Sequence, residues 1–197
     1  MSIVTTVIVV LNGASSAGKT TLARALQEAW AEPALVWGID TVVTALPERY
    51  LNALWSTEMY RYEYGSDGTV TAISPGPYGD RVVRALHRAV AALAAGGVNV
   101  IVDQVLLTRA WGDDLRAACA GQDLLIVHVT CPPRVLTQRE RDRGDRTLGQ
   151  ALAQHTAVAR SIDHDLVIDT SELDPSGAAT DVLAAIAQTR TVSPSHR

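Results

Sequence analysis

Residues 4–20 read VTTVIVVLNGASSAGKT, and this stretch decides the fold. Val4 to Leu11 is short, apolar and rich in β-branched side chains, the pattern of a parallel strand covered by helices on both faces. It runs directly into GASSAGKT, Gly13 to Thr20, which fits the spacing G-x-x-x-x-G-K-[ST]. Lys19 to about Trp30 then predicts a helix, with Leu22, Ala25, Leu26 and Ala29 on one face. A strand, a glycine-bearing loop and a helix in that order form a phosphate cradle. Small residues let backbone N–H groups wrap closely around phosphate oxygens, and the helix N-terminus favours an anion. A turn that binds nothing is the competing reading, and the flanking elements weigh against it.

The residues expected to hold the nucleotide are Gly13, Ala14, Ser15, Ser16, Ala17, Gly18, Lys19, Thr20 and Thr21. Lys19 would place a point charge on the β- and γ-phosphates, and the Thr20 hydroxyl would hold Mg²⁺. Of the 17 Lys and Arg residues, Lys19 is the only lysine. Whatever bias made the other basic residues arginine spared this one.

Outward from the loop, strands are predicted at Ala34–Trp37, Val98–Val102, Leu124–Thr130 and Leu166–Ile168. Helices are predicted near Arg81–Ala95, Arg109–Ala118, Pro132–Arg141, Leu148–Arg160 and Gly177–Gln188. This alternation favours an α/β chain with a parallel five-stranded sheet flanked by helices, and with the phosphate loop the expected fold is a P-loop kinase fold, nucleoside/shikimate-kinase-like. Residues 1–190 are expected to form a single domain and 191–197, TVSPSHR, a frayed tail. From Pro47 to Gly79 the alternation fails. Tyr50, Trp55, Tyr60, Tyr62, Tyr64 and Tyr78 crowd a segment with GSDG and SPGP turn signals, which reads as an insertion. There is no internal repeat.

The net charge of −4 and pI near 5.7 give no general attraction to polyanions, which argues against nucleic acid or an anionic membrane as the main partner and leaves room for a local basic site. No stretch approaches the ~20 apolar residues of a membrane span. The N-terminal run lacks the charge and cleavage pattern of a signal peptide. Cys119 and Cys131 have no metal-ligand spacing and read as ordinary thiols of a cytoplasmic protein. The five histidines are scattered without ligand spacing, so structural roles are expected.

Two carboxylates follow strands where an open parallel sheet faces its ligand. Asp40, in LVWGID, can accept the proton of an attacking hydroxyl, or it can simply N-cap a helix over Thr41–Leu46. Asp103, in VNVIVDQV, matches a carboxylate delivered towards Mg²⁺ by an apolar strand, or it is a turn residue. RERDRGDR, 139–146, would alone be a solvated helix end stopped by Gly144. After a phosphate loop it suits a lid, about 139–148, in which Arg143 and Arg146 neutralise charge on the transferred group. DLVIDTSELDP could lie beside the adenine.

Taken together, LNGASSAGKT, WGIDTVVTALP, IVDQVLL and RERDRGDR, with GSDGTV and GPY before the long helix, resemble the chloramphenicol phosphotransferase family through nearly the whole chain. The resemblance implies a kinase that moves the γ-phosphoryl of ATP to a primary hydroxyl of the antibiotic, inactivating it, and hence an antibiotic-resistance activity. It makes Asp40 the catalytic base and Lys19, Arg143 and Arg146 the stabilisers of phosphate charge, with Thr20 and Asp103 at the metal. Gln104 stands where the family has a second acid, and the Pro47–Gly79 side chains mostly differ.

The aromatic insertion favours a ring-bearing hydroxyl acceptor. Competing readings are a related kinase for another antibiotic or a metabolite alcohol, and a nucleotide-dependent switch with no acceptor. Nothing in the sequence opposes a homo-oligomer.

Overall fold

The computed structural model describes residues 6–50, 57–144 and 147–192, with side chains to residue 189. The chain runs β1 (Val7–Asn12), α1 (Lys19–Ala29), β2 (Ala34–Gly38), α2 (Ile39–Thr44), β3 (Tyr60–Tyr64), β4 (Val70–Pro75), α3 (Pro77–Ala95), β5 (Asn99–Gln104), α4 (Arg109–Ala118), β6 (Asp123–Thr130), α5 (Pro133–Arg143), α6 (Gln150–Ser161), β7 (Leu166–Asp169) and α7 (Pro175–Val192). Five strands form one parallel sheet in the order β2-β5-β1-β6-β7, flanked by helices, so the predicted P-loop kinase fold is the observed one.

β1 lies at the centre, and all six of its residues are buried. Its two-residue period divides them between two cores. Val7, Val9 and Leu11 pack with Leu22 and Leu26 of α1 and Val182 and Ile186 of α7. Ile8 and Val10 face Val83, Leu86 and Val90 of α3 and Trp111 and Leu115 of α4. Fully burying one such aliphatic side chain stabilises the fold by about 1.5–3 kcal/mol, so the sheet is held from both faces.

Local chemistry sets the helix boundaries. Pro77 and Pro133 open α3 and α5, where the missing N–H has no intrahelical partner to lose. The Thr108 side chain caps α4 by accepting from the Trp111 N–H at 3.2 Å. Gly144 closes α5 at φ 66°.

The insertion is more regular than its sequence suggested. β3 and β4 pair antiparallel as a two-stranded sheet, with Tyr62 opposite Ile73 and Tyr64 opposite Val70. In the GSDG turn Asp67 Oδ1 accepts from the Thr69 N–H at 3.0 Å and the Thr69 hydroxyl at 2.7 Å. Trp55 lies outside the described residues, as do the first five residues and residues 193–197 of the expected tail. Among the described residues no helix is long and apolar enough to cross a membrane.

Candidate active site

Parallel register brings the carboxyl ends of three strands together. Leu11 of β1 pairs with Asp103 of β5, and Gly38 of β2 pairs with Asp103 from the other side. A Cβ on Gly38 would collide with the Asp103 backbone carbonyl, so this close approach requires glycine. A cavity of about 1220 Å³ opens above these ends, lined by the phosphate loop, Asp40, Asp103, the tyrosines of β3, and residues of α5, α6 and the β7–α7 segment.

The loop is buried from Gly13 to Ala17 and lies tight against the sheet: a Cβ on Gly13 would meet the Val129 carbonyl. Gly18 has φ 93°, a left-handed conformation that glycine adopts without strain, and it turns the chain into α1. Ser16 also has positive φ, 61°, and its buried hydroxyl has no hydrogen-bond partner among the described residues. Lys19 Nζ donates to the Ala14 carbonyl at 2.9 Å and lies 3.7 Å from Asp103 Oδ1. The ammonium is therefore folded over the concave face of the loop, where phosphate oxygens could replace the carbonyl.

Next to it the Thr20 hydroxyl donates to Asp103 Oδ2 at 2.7 Å. The turn-residue reading of Asp103 fails, because this residue lies within β5 and projects towards the loop. A hydroxyl oxygen and a carboxylate oxygen side by side at the foot of the loop are hard donors of the kind Mg²⁺ takes.

Asp40 occupies the first turn of α2, is exposed, and lines the cavity. The N-cap is Gly38, so the alternative reading of Asp40 as the cap is not what the fold uses, and the helix starts two residues before the predicted Thr41. Burial, then the Tyr62 phenol and the Asp40 carboxylate, push the Tyr60 phenol above its usual 10.0. Tyr60 therefore keeps its proton, and it lines the same cavity as Asp40.

Of the expected arginine pair, Arg143 lines the cavity from the last residue of α5, and Arg146 lies outside the described residues. Sequence reasoning passed over Arg139, one helical turn before Arg143. Its Nη1 donates to Thr170 Oγ1 at 2.8 Å and its Nη2 to the Thr170 carbonyl at 3.0 Å, while the Thr170 hydroxyl also lies 2.8 Å from the Ala17 carbonyl of the loop. Helical i, i+4 spacing puts 139 and 143 on one face and was the signal available.

Glu140 was also missed. It is buried, and its carboxylate accepts from the Gly149 and Ala151 N–H groups at 2.8 and 2.7 Å, tying α5 to the start of α6. In α6, Gln154 Oε1 accepts from the Ser15 N–H at 2.7 Å, so the same helix braces the phosphate loop.

Gln104 is fully buried and turned into the fold. His87 Nδ1 lies 2.7 Å from Asp114 Oδ2, and a carboxylate can only accept, so this nitrogen donates and Nε2 accepts from the Gln104 amide at 3.3 Å. The absence of a second acid on β5 therefore removes nothing from the cavity lining.

The histidines are less scattered than their positions implied: His128 and His164 stack at 4.5 Å. Among the described residues no group of three or more His, Cys, Asp or Glu could hold a metal ion. Both cysteines are buried and free, and burial pushes the Cys119 thiol up to about 11.

A parallel sheet whose central strand ends in this loop, with a lysine over the loop and a large cavity above it, defines a P-loop small-molecule phosphotransferase. The chain belongs to the chloramphenicol phosphotransferase-like protein family, whose pattern matches residues 6–187. A Mycobacterium tuberculosis protein of strain H37Rv, provisionally named an O-phosphotransferase, is 34% identical over 168 residues, 83% of this chain and 75% of its own. The fold resembles a sugar kinase from Janibacter at TM-score 0.62 and 18% identity, covering 97% of this chain and 99% of that one. It also resembles the Mycobacterium tuberculosis APS kinase in complex with AMPPNP and APS, at TM-score 0.62 and 16% identity over 93% and 98% of the two chains.

Proposed function

We propose that this enzyme transfers the γ-phosphoryl group of ATP to a hydroxyl of a chloramphenicol-like antibiotic and so inactivates it. The observation that carries the reading is the make-up of one cavity. The phosphate loop with Lys19, the carboxylate of Asp40 and the tyrosines of β3 all line it.

In the transfer the acceptor oxygen attacks the γ-phosphorus, the bond from that phosphorus to the β,γ-bridging oxygen breaks, and ADP leaves with the bond's electron pair. Asp40 takes the acceptor's proton, a task suited to an exposed carboxylate at the cavity wall. Lys19 leaves the Ala14 carbonyl for the β- and γ-phosphates, and Arg143, with Arg146, neutralises charge on the transferred group. Thr20 and Asp103 are the oxygen donors suited to hold Mg²⁺, which when bound would offset charge on the phosphate oxygens. Thr170, Leu173 and Pro175, in the segment read as the adenine side, also line the cavity.

The test is incubation of the protein with ATP and Mg²⁺ together with chloramphenicol and a panel of other hydroxyl-bearing antibiotics, read by mass spectrometry for an added phosphoryl group. Phosphorylated chloramphenicol is expected. Transfer only to another member of the panel would keep the reaction and shift its specificity. No product with any acceptor, with nucleotide still bound, would overturn the reading and favour a metabolite alcohol or a switch.

A further inference from the structure

The acceptor end of the cavity has a shape of its own. Tyr60, Tyr62 and Tyr64 alternate with Arg61 and Glu63, and the two-residue period of β3 puts all three rings on one face, towards the cavity. Ring centroids are 6.4 Å apart from Tyr60 to Tyr62 and 6.3 Å apart from Tyr62 to Tyr64. The first pair meets edge to face at 72°, and the second is nearly parallel at 26°. Tyr60 is half-buried and packs on the apolar cluster that holds Ile39, the neighbour of Asp40, and so marks the reacting end. Tyr64 is 45% exposed and marks the mouth.

Stacked or edge-on aromatic partners have centroids about 4.5–7 Å apart. From Tyr60 to Tyr64 the strand advances four residues, roughly 13 Å at about 3.3 Å each. One ring held against Tyr60 therefore leaves the Tyr62–Tyr64 face to a second ring. The mouth is also fixed in place: Val70, opposite Tyr64, donates its N–H to the Leu148 carbonyl at 2.9 Å, anchoring the hairpin to the segment before α6. Charge narrows the class further. Among the described lining residues the Lys and Arg side chains are Lys19, Arg139 and Arg143, on the phosphate loop and α5, and none is on the β3 side.

We propose that β3 is a two-ring ladder: it holds the ring of a chloramphenicol-like alcohol against Tyr60 and offers Tyr62 and Tyr64 to a second ring, so that an extended two-ring alcohol without negative charge binds more tightly than a one-ring one. The identity of the reacting end rests on the phosphoryl-transfer reading, whereas the ladder itself is a statement about binding.

The test uses two uncharged probes with a primary hydroxyl, 1-phenylpropane-1,3-diol and its biphenyl-4-yl homologue. Affinity is measured by calorimetry with AMPPNP present, and phosphorylation is followed separately with ATP. The two-ring diol should bind about tenfold more tightly than the one-ring diol. Tyr64→Ala should abolish that gain and Tyr64→Phe keep it; an exposed side chain makes both variants tolerable to the fold. Equal affinity for the two diols, no binding of either, or a gain that survives in Tyr64→Ala would overturn the ladder. The expected binding without phosphorylation of either diol would retain the ladder and count against transfer. Equal phosphorylation and equal affinity would do the reverse.

Discussion

The hydroxyl of Thr20 and the carboxylate of Asp103, 83 residues apart in sequence, meet in a 2.7 Å hydrogen bond at the foot of the phosphate loop. β5 delivers one and the first turn of α1 the other, so the pair depends on the sheet register and the loop together. Asp103→Asn keeps an oxygen that can accept from Thr20 but removes the charge. Its requirement for Mg²⁺ in transfer should rise on the order of 10–100-fold, as should that of Thr20→Ala, with thermal stability nearly unchanged. A titration of activity against Mg²⁺ reads both, and wild-type curves would remove these residues from the metal site.

The hairpin and the expected lid share a backbone bond, from the Val70 N–H to the Leu148 carbonyl at 2.9 Å. Gly149 packs so closely on Val70 that a Cβ there would meet the Val70 carbonyl. Acceptor and nucleotide should consequently tighten each other's binding, by about fivefold or more in the wild type. Val70→Pro deletes the N–H at the first residue of β4, where proline is tolerated, and should bring that factor close to one. Calorimetry with AMPPNP, with and without chloramphenicol, measures it; an undiminished factor in the variant would rule out this route.

The parallel sheet was legible because strands buried on both faces leave continuous apolar runs, and because GASSAGKT fixes both a loop and its neighbours. The hairpin was not read, although YRYEY carries the strict alternation of a strand with one face covered. Aromatic crowding and turn signals hid it. Lys19, Thr20, Asp40 and Asp103 line the same cavity; the phosphate-loop spacing pointed to the first two and strand-end positions to the two carboxylates. Arg139 and Glu140 sit in RERDRGDR, where every residue but the glycine is charged; nothing local marks Glu140, whose partners belong to the next helix. Only tertiary packing sorts that segment into a clamp, a cap and a cavity wall.

Helix α4 crosses α6 at Gly112, where a Cβ would collide with the Ser161 carbonyl and lie 2.9 Å from Ile162 Cβ. Gly112→Ala forces the helices apart and should cost about 1–3 kcal/mol. Denaturant unfolding should register that loss at unchanged m-value, with turnover per folded molecule retained. A variant as stable as the wild type would show that the crossing adjusts freely.

His128 sits against His164, and burial, followed by the charges of His164 and His155, lowers it from 6.5 to about 4. Between those values the unfolded chain binds a proton that the folded chain refuses, so stability should fall as pH drops from about 6.5 to about 4. His128→Gln removes this contribution and should flatten the stability curve over that window. An equally steep curve in the variant would assign the acid sensitivity to other groups.

Asp40 bears most of the chemical account, and one comparison tests it: single-turnover transfer from γ-labelled ATP to chloramphenicol by the wild type and by Asp40→Asn, with AMPPNP affinity measured on both. The account predicts labelled product from the wild type, a loss of about 10²–10⁴-fold in the variant, and unchanged nucleotide affinity. A variant that transfers at the wild-type rate would contradict it, leaving Asp40 as a bystander on the cavity wall.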